Sequence, residues 1–262
     1  MGIRYNIFKR AARALTIDPI TFGYKQIGIL NWENEAVTGE KYLLETGLKK
    51  ILPEKNKYIF FDVGANNGDY SRSLLNNFPG AEIHAFEPLP DCYQQLSKLS
   101  KDKSGQFFAN NVCVSNKAGQ VELNTYPNDL SSQHASLYGE VLKDLHKASD
   151  LQKIAVNALT LDEYAKNFNF KHIDFLKIDT EGHELKVLEG AGDLIRNKSI
   201  TAIQFEFNEM NVISRVFFKD FYSMLSPNYK FFRLLPDGLY PIPKYDTFLE
   251  VFKFQNFLAV LE

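Results

Sequence analysis

From residue 58 onward, short apolar runs alternate with amphipathic stretches. Residues 58–63 run into Gly64, residues 81–86 into Glu87-Pro88, and residues 173–178 into Asp179. Runs this short, apolar on both faces and separated by helical patterns, specify strands of a mostly parallel sheet covered by helices. The pattern predicts strands at 58–63, 81–86, 107–109, 173–178 and 200–207, with helices at 69–78, 91–99, 184–195 and 216–225. Asp91 is the expected N-cap of the second of these helices. Two further strands, 229–235 and 256–261, follow without an intervening helix, so the last one is expected to run antiparallel. Residues 121–126 and 154–158 alternate and form an added antiparallel pair, separated by a polar loop at 127–136 and a helical stretch.

In open sheets of this kind ligands bind beyond the carboxyl ends of the strands. After the first strand stands Asp62-Val63-Gly64-Ala65-Asn66-Asn67-Gly68-Asp69. Its glycines permit a tight turn and close approach of a ligand to backbone N–H groups. The spacing differs from the G-x-G-x-x-G dinucleotide pattern, which disfavours an NAD-dependent oxidoreductase. An acid two residues before the first glycine suits an ammonium group better than a pyrophosphate. Glu87, at the end of the second strand, is placed to accept hydrogen bonds from both hydroxyls of a ribose. Asn110, Asn111 and Val112 follow the third strand and could line a base pocket. The fourth strand ends in Lys177-Ile178-Asp179-Thr180-Glu181-Gly182-His183-Glu184. A helix N-terminus accounts for Glu181 and Glu184. It does not account for Lys177 and Asp179, and a buried Lys177 would need a partner. Glu206, between Phe205 and Phe207 on the fifth strand, is a candidate for a perturbed carboxylate.

Charge and cysteine content narrow the function. With 30 Lys+Arg against 32 Asp+Glu the net charge is −2, and nucleic-acid binding is not expected. Cys92 and Cys113 match no metal or redox spacing, which implies two reduced thiols. No apolar run reaches the roughly 20 residues of a membrane-spanning helix, and no signal peptide is evident, so a cytoplasmic location is expected. Residues 1–15 place Ile3, Ile7, Phe8, Ala11 and Leu15 on one helical face and Arg4, Lys9, Arg10 and Arg13 off it. That pattern fits packing on the chain's own domain or peripheral contact with a membrane surface.

Taken together, these residues resemble the FkbM family of S-adenosylmethionine-dependent methyltransferases. The pieces that carry the resemblance are Phe60-Phe61-Asp62-Val63-Gly64-Ala65-Asn66-Asn67-Gly68, Ala85-Phe86-Glu87-Pro88, Thr160-Leu161-Asp162 and residues 174–182. Glu206 and Asn256-Phe257-Leu258-Ala259 also fit. The resemblance spans roughly residues 38–261. It implies a Rossmann-like class I methyltransferase domain over 38–262, with a seven-stranded sheet and an antiparallel last strand; residues 1–37, outside the shared pattern, are expected to be an N-terminal helical extension. It also implies methyl transfer from S-adenosylmethionine to a hydroxyl of a sugar, polysaccharide or glycoconjugate intermediate. The alternatives are a small secondary metabolite as acceptor, or a methyltransferase-fold binding protein without catalysis. Carried over, Asp62, Gly64, Asn66 and Gly68 hold the methionine end, Glu87 with Pro88 the ribose, and Asn111 with Val112 the adenine. Asp179 lies beside sulfonium and acceptor, and the 131–137 loop, with its Ser136-Leu137, covers the site.

An acceptor hydroxyl must lose its proton. Asp179, Glu181, His183 and Glu206 are the candidates to receive it; which of them is the base is open, and Glu206 is the first to test. A divalent metal such as Mg²⁺ on the same carboxylates is the other route. The acceptor's identity and the oligomeric state are not written in the sequence.

Overall fold

The computed structural model describes residues 18–127 and 135–262. Eleven strands lie among the described residues. They are β1 (Ile59–Val63), β2 (Glu82–Phe86), β3 (Phe107–Asn110), β4 (Cys113–Val114), β5 (Gly119–Thr125), β6 (Gln152–Leu159), β7 (Ile173–Ile178), β8 (Ile200–Phe207), β9 (Tyr229–Leu235), β10 (Gly238–Ile242) and β11 (Gln255–Leu261). Eight of them form one sheet in the order β10-β9-β11-β8-β7-β1-β2-β3. The pairs β3–β2, β2–β1, β1–β7 and β7–β8 are parallel. β11 runs antiparallel to both β8 and β9, as expected for the last strand. The fold is therefore Rossmann-like with a mostly parallel sheet, and the strand order reverses direction between β1 and β7.

The expected count of seven strands is one short. The eighth, β10, is an edge strand paired only with β9. It contains Pro241, which an edge tolerates and an internal strand does not, so the apolar pattern there is weak. β4, β6 and β5 make a separate three-stranded sheet. Its β5–β6 pair is the expected antiparallel one, and β4 joins β6 in parallel.

Alternation along the strands divides the core. Phe60 faces one cluster with Leu74, Phe78, Phe175 and Leu258, while Phe61 faces the other with Leu176, Ile203 and Phe205. Aromatic rings interlock on both faces: Phe60 meets Phe175 edge-on at 6.0 Å, and Phe218 stacks on Phe257 at 4.3 Å. Such pairs add specificity to burial. Asp174 is fully buried at the amino end of β7. It accepts a hydrogen bond from the Ile59 N–H at 2.7 Å and pairs with Lys55, so this part of the matched motif is structural.

Two helix expectations are corrected. The 184–195 helix is broken into Glu184–Glu189 and Gly192–Arg196. At the break a Cβ on Gly190 would lie 2.1 Å from the Ser115 carbonyl oxygen. Asp91 is not an N-cap: the helix Pro90–Asp102 starts with Leu89 as N-cap and Pro90 in its first turn. Proline suits that position because it lacks the N–H that would be orphaned there.

Ahead of β1, the helix Pro19–Gln26 is capped by the Asp18 side chain, and residues 40–51 are helical throughout. Between them, Ile29 bridges Gln255, and the Leu30 N–H donates to the Phe254 carbonyl at 2.8 Å. The chain before residue 38 is thereby stitched to the start of β11. The amphipathic pattern of residues 1–15 lies outside the described residues. No helix among the described residues is long and apolar enough to cross a membrane.

Candidate active site

A cavity of about 400 Å³ opens at the carboxyl ends of β1, β2 and β7, where the strand order reverses and the fold leaves a crevice. Its first wall is the loop after β1. Gly64 has φ +76°, and a Cβ there would lie 1.7 Å from the Asp179 carbonyl oxygen. The loops after β1 and β7 thus touch backbone to backbone, which only glycine permits. Gly68, also at positive φ, leads into the helix Asp69–Asn77.

The second wall holds Glu87. Its Oε2 accepts from the Asn66 N–H at 2.9 Å and its Oε1 from the Leu89 N–H at 2.8 Å. Asn66 sits at φ +49°, within the turn that presents this N–H. Burial pushes the Glu87 carboxyl up to about 7, against the pull of these two N–H groups. Each oxygen keeps a further lone pair for a hydroxyl donor. Beyond Glu87 the wall turns apolar, with Phe86, Leu89, Val112, Val114 and Leu123. Asn111 is not part of this wall. Its amide donates to the carbonyls of Glu87 and Pro88 at 2.9 and 3.0 Å, so it shapes the turn that carries Glu87. Both cysteines are buried and neither is in a disulfide, and burial pushes the Cys113 thiol up to about 12, an inert state.

Asp62 also departs from expectation. It is fully buried and off the cavity wall. Its Oδ2 accepts from Ser71 Oγ at 2.6 Å, and its Oδ1 lies 3.6 Å from Lys177 Nζ. The strand parity explains this: Asp62 is in register with Lys177 on β7, and Lys177 with Gln204 on β8, so the three share one face.

The third wall follows β7. Lys177 is buried, and its Nζ lies 3.2 Å from Asp179 Oδ2 and 5.2 Å from the centre of the Tyr70 ring. Burial disfavours the ammonium charge, but Asp179, Asp62 and Glu40 outweigh it and hold the pKa above its usual value. Asp179 keeps 37% of its side chain exposed and lines the cavity with Thr180, Glu181 and His183. Burial drives His183 down to about 4, so its imidazole is neutral, and its Nε2 lies 2.9 Å from Ser115 Oγ. Glu184 Oε1 accepts from the N–H groups of Thr180 and Gly182 at 2.9 and 3.1 Å and fixes the loop. Residues 128–134 of the expected covering loop lie outside the described residues. Of its end, Ala135 and Leu137 line the cavity, and Ser136 Oγ donates to the Glu181 carbonyl at 2.8 Å.

Glu206 approaches this cluster but does not reach the cavity wall. It accepts from Asn208 Nδ2 at 2.9 Å. Burial raises its pKa well above the usual carboxylate range, and the charges of Asp179, Glu181, Glu40 and Glu184 push it the same way. The shift favours the protonated form of Glu206 over the ionised one. Among the described residues, no group of three His, Cys, Asp or Glu side chains is arranged to hold a metal ion.

Sequence reasoning missed Glu40, Tyr70 and Gln204, which close the cavity on the side of Lys177. Tyr70 Oη donates to Gln204 Oε1, and Gln204 Nε2 donates to Glu40 Oε1 at 2.9 Å. Gln204 carried a readable signal, a polar residue inside an apolar strand. Glu40 carried none, because its role depends on where residues 38–40 dock.

A family model for the methyltransferase FkbM domain matches residues 62–231. The chain is 30% identical over 162 residues to methyltransferase sdnD of Sordaria araneosa, covering 52% of this chain and 62% of that protein. It is 23% identical to the 2-O-methyltransferase NoeI of Sinorhizobium fredii, over 60% of this chain and 65% of that one. Identity to the hexuronic acid methyltransferase AglP of Haloferax volcanii is 21%, over 66% of this chain and 65% of that one. The chain thus matches under two thirds of the length of these curated relatives. The matched model covers more than half of the chain, which belongs to the FkbM methyltransferase family.

Proposed function

We propose that this member of the FkbM methyltransferase family binds S-adenosylmethionine and transfers its methyl group to a hydroxyl of a sugar, polysaccharide or glycoconjugate. The observation that carries the reading is the charge of the cavity. Glu35, Glu40, Asp69, Glu87, Asp179 and Glu181 line it, against Lys177 as the one Lys or Arg among its described lining residues. Such a wall favours a ligand bearing ammonium and sulfonium charges and repels the paired phosphates of a dinucleotide. The residues present fit the group. Gly64 leaves the backbone cradle open where a Cβ would fill it, Glu87 has acceptor capacity for the ribose hydroxyls, and Phe86, Leu89 and Val112 offer an apolar slot for adenine.

When bound, S-adenosylmethionine supplies an electrophilic methyl group on a cationic leaving group. The chain's own residues position the acceptor and take its proton. Asp179 is the group suited to that proton: it lines the cavity, it is partly exposed, and Lys177 holds one of its oxygens so that the other is free to face a hydroxyl. Neutral His183 lines the same wall and offers a polar contact to the acceptor. Leu137 and Ala135 narrow the water-accessible space beside them. Support for a carbohydrate hydroxyl comes from two relatives whose names specify a 2-O-methyltransferase and a hexuronic acid methyltransferase.

Calorimetric titration tests the cofactor: heat is expected with S-adenosylmethionine and none with NAD, and micromolar NAD binding with no heat from S-adenosylmethionine would overturn the reading. Mass spectrometry of cell extracts incubated with the protein and S-adenosylmethionine tests the acceptor. A mass increase of one CH₂ confined to glycan fractions is expected. The same increase confined to small lipophilic metabolites would replace the carbohydrate by a secondary metabolite.

A further inference from the structure

A ligand that lays its ribose on Glu87 begins over β2. Crossing the strand ends in the sheet order β2-β1-β7, it reaches the part of the wall where Lys177 and Glu40 line the cavity. The group at that end of S-adenosylmethionine is an amino acid, whose α-ammonium needs a carboxylate. Asp62 is fully buried behind the loop and off the cavity wall; Ser71 takes its Oδ2, and its Oδ1 lies 3.6 Å from Lys177 Nζ with no hydrogen-bond partner. Asp69 lines the cavity, but it is 76% exposed and paired with Arg72. Glu35 also lines the cavity and is exposed to solvent.

Glu40 differs from both. The chain holds it in place from three directions. Gly39 has φ +87°, and a Cβ there would lie 2.7 Å from the Leu235 carbonyl oxygen, so residue 39 docks backbone to backbone on β9. Thr38 Oγ1 donates to Glu40 Oε2 at 3.1 Å. Gln204 Nε2 donates to Glu40 Oε1 at 2.9 Å, and the Gln204 amide is itself oriented by the Tyr70 hydroxyl. A carboxylate has about four acceptor sites, so two remain for an incoming donor. The residue lies outside the 62–231 span of the family match.

We propose that Glu40 is a receptor for the α-ammonium group of the bound ligand, with Asp62 behind it as a counter-charge of Lys177. The proposal rests on the S-adenosylmethionine reading above. Charge counting supports it: Asp62, Asp179 and Glu40 are the three carboxylates acting on Lys177, which leaves an excess of negative charge that a second ammonium relieves. The unliganded state of Glu40 agrees. Burial raises its carboxyl above the usual range despite the nearby Lys177, with Asp179 adding to the rise, so an arriving cation would find a group short of positive neighbours.

Titration calorimetry with two nucleoside probes tests this. S-adenosylhomocysteine carries the α-ammonium; 5′-methylthioadenosine lacks the amino acid altogether. In Glu40→Gln, affinity for S-adenosylhomocysteine is expected to fall by about tenfold to a hundredfold, the loss of a charge-assisted contact. Affinity for 5′-methylthioadenosine is expected to stay within about twofold. Equal losses for both probes, or none for either, would overturn the assignment. A measurement on the unaltered protein guards against a misfolded variant. There, S-adenosylhomocysteine should bind about tenfold to a hundredfold more tightly than its analogue lacking the amino group, and equal binding would overturn the proposal. Failure of the unaltered protein to bind either nucleoside would instead overturn the cofactor reading, and the role of Glu40 with it.

Discussion

The end of the cavity at Glu87, proposed for the nucleoside, and the end at Asp179, proposed for the reaction, are both built from carboxylates at strand termini, yet they are assembled differently. At the nucleoside end, Glu87 is held by the N–H groups of Asn66 and Leu89, in the two loops that leave adjacent strands. At the reactive end, Asp179 meets Lys177 from its own strand, while Glu206 comes from β8 and Glu40 from the chain before β1. Backbone donors fix the first end. Competition among several like charges around one lysine governs the second. A carboxylate held by N–H groups keeps its function when a distant side chain changes; one balanced among charges does not. Substitutions should therefore act locally at Glu87 and collectively around Asp179.

The largest effect is expected at the reactive end. Asp179→Asn keeps the size of the side chain and removes the proton acceptor, and turnover should fall by about 10²–10⁴-fold. Steady-state kinetics with the identified acceptor measure this, beside 5′-methylthioadenosine affinity as the nucleoside-end control. The control should move by less than about threefold, an effect within about 0.7 kcal/mol. A variant that turns over normally would remove Asp179 as the base and leave Glu181 and His183 to be tried.

Gly64 is where the two ends share backbone. A Cβ 1.7 Å from the Asp179 carbonyl oxygen, on a residue at φ +76°, forces the loops after β1 and β7 apart. Gly64→Ala is expected to cost on the order of 3 kcal/mol of stability, and to weaken nucleoside binding and turnover together. Urea denaturation reports the first and calorimetry the second. A variant as stable as the parent, with only one end impaired, would show that the ends are less coupled than the backbone contact implies.

This contrast also sets what the sequence could reveal. The parallel strands, the glycine turn and Glu87 were legible because each depends on residues close in sequence: an apolar run, then a turn, then an acid. Strand β10 was hidden because an edge strand with Pro241 lacks an apolar run. Asp62 could be read as an acid ahead of the glycine turn, but its burial beside its register partner Lys177 could not, because that pairing joins strands far apart in sequence. The neighbourhood of Asp179, Glu181, His183 and Glu206 could be read from the convergence of strand ends. Which of them faces the cavity could not, because a single step along a strand reverses the side chain. Glu40 was invisible, since its position follows from the docking of Gly39 on β9.

A smaller effect separates the nucleoside end by pH. Burial lifts the free Glu87 carboxyl to about 7. Hydroxyl donors prefer the ionised form, so 5′-methylthioadenosine affinity should fall as pH drops below 7, by up to about tenfold per unit. Glu87→Gln should bind about tenfold to a hundredfold more weakly at pH 8 and lose that pH dependence. Stability carries the opposite sign. With the folded pKa raised above the ordinary 4.5, the contribution of Glu87 is fully present below 4.5 and is lost as pH rises through about 7. Affinity that is flat from pH 6 to 8 in the unaltered protein would mean that Glu87 does not face the ribose.

The smallest effect is expected at Glu206, one of the four residues that the sequence offers as proton acceptor. Its carboxyl is off the cavity wall, and burial, with four acidic neighbours pushing the same way, raises its pKa well above the usual carboxylate range. A glutamine keeps the shape of the side chain, with an oxygen to accept and an NH₂ where the acid form carries its O–H. Glu206→Gln should therefore change turnover by less than about threefold near pH 7, a difference under about 0.7 kcal/mol in the barrier. Ionised Glu206 would add a further negative charge beside Asp179 and Glu181, so the variant should gain stability relative to the parent as pH rises. Kinetics at pH 7 paired with thermal denaturation at pH 7 and 9 separate the possibilities. A loss of 10²-fold or more in turnover at pH 7, with the fold intact, would mean that Glu206 reaches the acceptor during catalysis and that the division between the cavity wall and the charges behind it is drawn in the wrong place.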